Sequence, residues 1–137
     1  MINYFYEDID FQIDESQKLN LWVEKSILNE GKILGDLNYI FCSDDYLLTM
    51  NQDYLNHDTY TDIITFNYCE TNIISGDLFI SIDRVIDNAK KAKVSFIHEL
   101  KRVMIHGVLH LIGYNDKTSS QAKEIRAKED FYLALQS

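Results

Sequence analysis

Apolar positions along the chain fall into four short extended runs and five stretches with helical spacing. Residues 2–6 read as a short strand. Asp14 is placed to cap a helix carrying Leu19, Trp22, Val23, Ile27 and Leu28 on one face, stopped at Gly31. Residues 37–42 form a second strand. Ser43 can cap the helix that follows, with Leu47, Leu48 and Tyr54 turned inward. Residues 63–68 and 77–82 are β-branched and aromatic runs separated by a polar stretch ending in Gly76, so a hairpin is predicted.

The last third reads as helical. Residues 83–93 carry Val85, Ile86, Ala89 and Ala92 at helical spacing. Ser95 can cap the next helix, which runs to Ile112 and stops at Gly113. Leu100, Val103, Met104, Ile105, Val108, Leu109, Leu111 and Ile112 make that helix apolar on almost every side, which places it in the middle of a domain. A final amphipathic helix covers residues 119–135. The expectation is a single α/β (α+β) domain over residues 1–137, with a small mixed four-stranded sheet, about five helices and a buried central helix. No proline, repeat or low-complexity stretch marks a domain boundary.

Composition narrows this reading. With 46% hydrophobic residues the chain is not of a disordered type. No apolar run reaches the length of a membrane span, and the acidic start does not suit a signal peptide, so a cytoplasmic protein is expected. Cys42 and Cys69 sit in separate strand-like segments and read as buried free thiols in a reducing compartment. The net charge is −9, but it is unevenly spread. Residues 1–83 hold three Lys/Arg and sixteen Asp/Glu (3 − 16 = −13), whereas residues 84–137 hold ten and six (10 − 6 = +4). A polyanion can approach the basic part, unless its lysines are ordinary solvated helix faces.

That basic part carries the candidate chemistry. His106 and His110 are one helical turn apart, so their rings project from one face. Gly113 ends the helix, and a turn through Tyr114 and Asn115 can swing Asp116 back toward the imidazoles. The resulting HxxxHxxGxxD spacing is that of metzincin proteases, with an aspartate in place of their third histidine. Three protein ligands leave a fourth position for water, so His106, His110 and Asp116 are the candidate ligands of one divalent ion, zinc first. The alternative is a pair of hydrogen-bonded core histidines, each needing a partner. Gly107 stands where zinc proteases carry their glutamate base. Glu99, about two turns before His106, is either a partner behind the ligands or a first-turn glutamate.

The string from His106 to Asp116, HGVLHLIGYND, resembles the HGxLHLxGYDH signature of the YbeY family of metal-dependent endoribonucleases. Glu99-Leu100, Asn51 with Tyr54, residues 61–66 (TDIITF, similar to the family's TDVLSF) and Gly76-Asp77 extend the likeness over most of the chain from about residue 37. The resemblance implies an α/β domain with zinc at the three motif positions and a role in maturing ribosomal RNA, particularly of the small subunit. It also places His106 where the family has a histidine needed for activity. This chain departs from the pattern at Asp116 (histidine in the family), at Asn115 (aspartate) and at Leu55, where the family has a functional arginine. Leucine cannot clamp a phosphate, and Arg84, Arg102, His57 and Lys117 are the candidate replacements.

The expected function is therefore a metal-dependent endoribonuclease in ribosomal RNA maturation and ribosome biogenesis. It would use zinc or another divalent transition metal and meet ribosomal RNA or a ribosomal subunit, with DNA not expected. The alternatives are a ribosome assembly factor with a structural metal and a minimal metalloprotease.

Overall fold

Residues 1–55 and 60–135 are described by a computed structural model. In chain order the elements are β1 (Ile2–Glu7), α1 (Ser16–Asn29), β2 (Ile33–Cys42), α2 (Asp44–Leu55), β3 (Ile63–Asn67), β4 (Ile73–Ser81), α3 (Ile82–Ala92), α4 (Phe96–Ile112) and α5 (Ser119–Ala134). The sheet runs β1-β2-β4-β3, with β1, β2 and β4 parallel and β3 antiparallel to β4. Parallel neighbours need crossovers, and α1 supplies one between β1 and β2. This is the mixed four-stranded α/β architecture the sequence predicts.

Central strands with both faces covered read as apolar on both sides. In β2, Leu37, Tyr39 and Phe41 join the large core formed with α1, α4 and α5, and Cys42 joins a smaller cluster under α2. Helix α4 packs against β3 and β4 and is flanked by α1, α3 and α5, which explains its nearly all-round apolarity. Ser95 caps it, its hydroxyl accepting from the His98 N–H at 3.1 Å, and Gly113 (φ 126°) terminates it. Two glycines permit the close approach of helix to sheet. A Cβ at Gly107 would stand 2.7 Å from Ile63 Cδ1, and one at Gly76 would stand 3.0 Å from Leu111 Cδ2 of α4 and 2.5 Å from the Phe66 carbonyl oxygen of the paired strand.

Several local expectations are corrected. The residue before α1 is Glu15, in the left-handed region (φ 52°) with no side-chain cap, so Asp14 does not cap it. The preceding segment threads Ile9, Phe11 and Ile13 onto the core, and the Ile13 N–H donates to Tyr6 Oη. The buried stripe of α1 is Leu19, Trp22, Val23, Ser26 and Ile27, and Leu28 lies off it, exposed like Leu21. Ser43 does accept from the Tyr46 N–H ahead of α2, but Asn51 and not Tyr54 takes the second buried position. Tyr54 leans edge-on against Phe66 and stays exposed, which spares its hydroxyl from needing a partner in an apolar layer. Strand β4 starts at Ile73, so Gly76 lies within it. Ser81 caps α3, so Ile82 is helical, and Ile86 is partly exposed.

Both cysteines are free. Cys42 is buried, and burial with the nearby charges of Asp83, Asp44, Glu7 and Asp8 pushes its thiol up to about 12, which makes it inert at neutral pH. Cys69 is only half-buried and lies past the end of β3. Among the described residues, no helix is long and apolar enough to cross a membrane.

The Gly76 contact yields a test. Because the obstructing atom is backbone of the paired strand, it cannot rotate away, and Gly76→Ala is expected to cost about 1–3 kcal/mol. A denaturant melt with an unshifted midpoint would contradict this.

Candidate metal centre

The i, i+4 spacing on α4 brings the two imidazole rings to 4.5 Å between centroids. After Ile112 the chain leaves the helix through Gly113, whose positive φ is open to glycine at no steric cost. Asp116 then returns toward the rings. Its Oδ2 lies 3.5 Å from His106 Nε2 and 3.5 Å from His110 Nε2, and the two nitrogens are 2.9 Å apart. One ligand atom from each residue falls within 4.8 Å of the others, a grouping that could hold a metal ion. Ligands of a tetrahedral zinc stand roughly 3.3 Å apart, so the donor set and its spacing fit such an ion. All three side chains are partly exposed, Asp116 the most, at 45%. The structure thus brings together the three residues that the sequence singles out.

Behind His106 stands a residue the sequence reading missed. Glu129 of α5 is buried, and its Oε2 accepts from His106 Nδ1 at 2.6 Å. This assigns the ring proton to Nδ1 and leaves the Nε2 lone pair facing His110 and Asp116, the arrangement found behind metal-ligating histidines. Burial disfavours the imidazolium, but the Glu129 hydrogen bond and the charges of Glu129, Asp62 and Asp116 outweigh it and raise the His106 pKa. The missed signal was available. Ile125, Glu129 and Tyr132 mark the buried stripe of α5, and a glutamate on an apolar stripe requires a partner.

Two arginines hold Glu129 Oε1, Arg102 at 3.1 Å and Arg126 at 3.3 Å. Glu99, in the first turn of α4, reaches Arg102 at 3.6 Å and so stands one guanidinium away from Glu129. Burial raises the carboxyl pKa of both Glu99 and Asp62.

The candidate replacements for a phosphate-gripping arginine fare differently. Arg84 is committed to Asp44 at 2.7 Å and Asp87 at 3.4 Å and lies over the Tyr60 ring. Arg102 is engaged by Glu129, Asp130 and Glu99. His57 falls outside the described residues. Lys117 is exposed, directly follows Asp116 and has no ion pair among the described residues. Leu55 ends α2, partly exposed. A surface groove runs between α1 and α4 past Trp22, Ile97 and Met104, and none of the three clustered residues lines it.

The turn carrying Asp116 is itself anchored. Tyr114 donates to Glu30 Oε1 at 2.7 Å, and Tyr132 and Lys128 of α5 donate to Oε2 of the same carboxylate. Burial opposes the Glu30 charge, but hydrogen bonds from Tyr132, Tyr114 and Lys128 and the Lys128 charge prevail, holding its pKa below the ordinary 4.5.

Comparison with known proteins gives concordant results. The family model described as Endoribonuclease YbeY matches residues 3–136. A protein named Endoribonuclease YbeY from Flavobacterium johnsoniae is 51% identical over 98% of this chain and 96% of its own length. One of the same name from Flavobacterium psychrophilum is 54% identical over the same shares. The solution structure of a Thermotoga maritima protein matches with a TM-score of 0.63 and 27% identity, covering 97% of this chain and 88% of that one.

The Glu30 anchor makes a pH-dependent prediction. A depressed folded pKa contributes stability above the unfolded value and loses it as pH falls through the folded one. Glu30→Gln is expected to cost about 1–3 kcal/mol at neutral pH. The gap from wild type should close as the pH drops below 4.5. Thermal melts at two pH values check this, and a gap that persists in acid would refute it.

Proposed function

Since the chain belongs to the Endoribonuclease YbeY family, we propose that it is a metal-dependent endoribonuclease acting in ribosomal RNA maturation and ribosome biogenesis. Residues 1–137 work as one cytoplasmic domain, and the substrate is ribosomal RNA, free or in a ribosomal subunit. Zinc is the proposed ion, bound by His106, His110 and Asp116, with His106 also required for activity. The observation that carries this reading is the convergence of three donors from a helix face and the turn beyond it, with a partly exposed edge left for substrate.

A divalent ion held there supplies Lewis acidity, making water a better nucleophile near neutral pH and drawing charge from a phosphoryl oxygen. The protein's own groups prepare that chemistry. Glu129 fixes the His106 tautomer, so that Nε2 presents a lone pair without rearrangement. Arg102 and Arg126 hold Glu129 in place through its other oxygen. Gly113 and the Glu30–Tyr114 bond set the turn that aims Asp116. A carboxylate third ligand subtracts one charge from the ion's field compared with histidine, so harder divalent metals are better tolerated. The family relationship supports this reading over the protease and the structural-metal alternatives. Gly107, packed against Ile63 and Leu78, also provides no glutamate base for peptide hydrolysis.

Cleavage of structured RNA by zinc-loaded protein, wild type beside His106→Ala, tests the activity. The variant is expected to be inactive, and equal cleavage by both would end the proposal. Titration with zinc tests the supporting carboxylate. Glu129→Gln should bind about 10–100-fold more weakly, and unchanged affinity would show that Glu129 does not support the site.

A further inference from the structure

An RNA strand brings one negative charge per phosphate, and the triad lies in a field rich in carboxylates. Asp116 belongs to it, Glu129 touches His106, and Asp62 lies close enough for its charge to act on that ring. For a phosphodiester to rest there, cations must offset this field.

Two guanidinium groups touch the network, and they are not equivalent. Both donate to Glu129 Oε1. The side chain of Arg102 is 17% exposed; its Nη1 also donates to Asp130 at 3.2 Å, while Nε lies 3.6 Å from Glu99 and Nη2 3.4 Å from His98 Nε2. All three of its nitrogens are engaged and little of the side chain faces solvent, so it offers a ligand far less than Arg126 does. The side chain of Arg126 is 59% exposed, and Glu129 is its one ion-pair partner among the described residues. Arg126 lies three residues before Glu129 on α5, so its guanidinium sits next to the carboxylate that holds His106. A guanidinium with one nitrogen on a carboxylate keeps N–H donors in a planar fork, the geometry that grips phosphate with two bonds. The Glu129 bond also holds that fork in place beforehand, reducing the ordering cost of binding.

We propose that Arg126 is a substrate-binding residue that grips a backbone phosphate of the RNA beside the His106–His110–Asp116 triad, with the donors not used by Glu129. The identity of the ligand rests on the endoribonuclease reading. Exposed Lys117, next to Asp116, adds positive charge at the same site.

The test measures binding apart from cleavage. Fluorescence anisotropy follows a labelled, 2′-O-methylated single-stranded RNA, which cannot be cut through its 2′-oxygens, with the full chain in EDTA across a series of KCl concentrations. Arg126→Gln is expected to weaken binding about tenfold and to lower the salt slope of log affinity by about 0.7. Arg126→Lys should keep the salt slope but recover only part of the affinity. Lys25→Gln, an equal charge change on α1, should have little effect. Wild-type affinity and slope in Arg126→Gln would overturn the inference, as would an equal loss in Lys25→Gln. No RNA binding by wild type would sink both this and the proposed function. Selective loss in Arg126→Gln, alongside wild type that cuts no RNA with any metal, would uphold the phosphate grip and reject the endoribonuclease assignment for this chain.

Discussion

A single buried contact joins the chemistry to the fold. Glu129 of α5 accepts from His106 Nδ1 on α4, and Arg102 and Arg126 donate to the other oxygen of the same carboxylate. Without a partner, a buried glutamate would weigh against the docking of α5 on α4. With one, the same group fixes the tautomer and orientation of the ring that faces His110 and Asp116. Helix docking and site preparation are therefore one interaction seen from two sides.

The surroundings enforce that contact. Trp22 of α1 donates through its indole N–H to the Tyr132 carbonyl at 2.8 Å, and Asn29 donates to the Tyr132 hydroxyl at 3.0 Å. Glu30, just past α1, collects Tyr132 and Lys128 from α5 and Tyr114 from the turn that carries Asp116. The end of α1, the α4–α5 turn and α5 are thus tied to one carboxylate. The bend that aims Asp116 is held by bonds from outside it and does not depend on its own sequence alone. This accounts for a well-placed carboxylate despite asparagine at position 115.

The close seating of α4 on the sheet is the other constraint. Gly107 and Gly76 remove the side chains that would hold helix and strands apart. Any side chain at position 107, where a zinc protease has its glutamate base, would press its Cβ into Ile63 and Leu78. The packing thus explains in steric terms why this helix carries a glycine there.

The helices, the strands and the pair of stacked histidines were legible in the sequence because they depend on local rules. Ser95 and Ser43 cap, Gly113 and Gly31 stop, and spacing by four sets two rings on one face. Errors arose where a choice between two local options was settled by a distant surface. Leu28 and Tyr54 fit an inward stripe on paper, yet both stay exposed, and Glu15 replaced Asp14 at the start of α1 because the preceding loop is drawn onto the core. The sequence by itself determined the donors, their spacing and the strand–helix order, since these are properties of neighbouring residues. Only the tertiary structure decided that Glu129, twenty-three residues beyond His106, stands behind it, that Arg102 is spent and that Arg126 keeps an exposed edge. Such pairings depend on how two helices dock, and no periodicity within either helix encodes that.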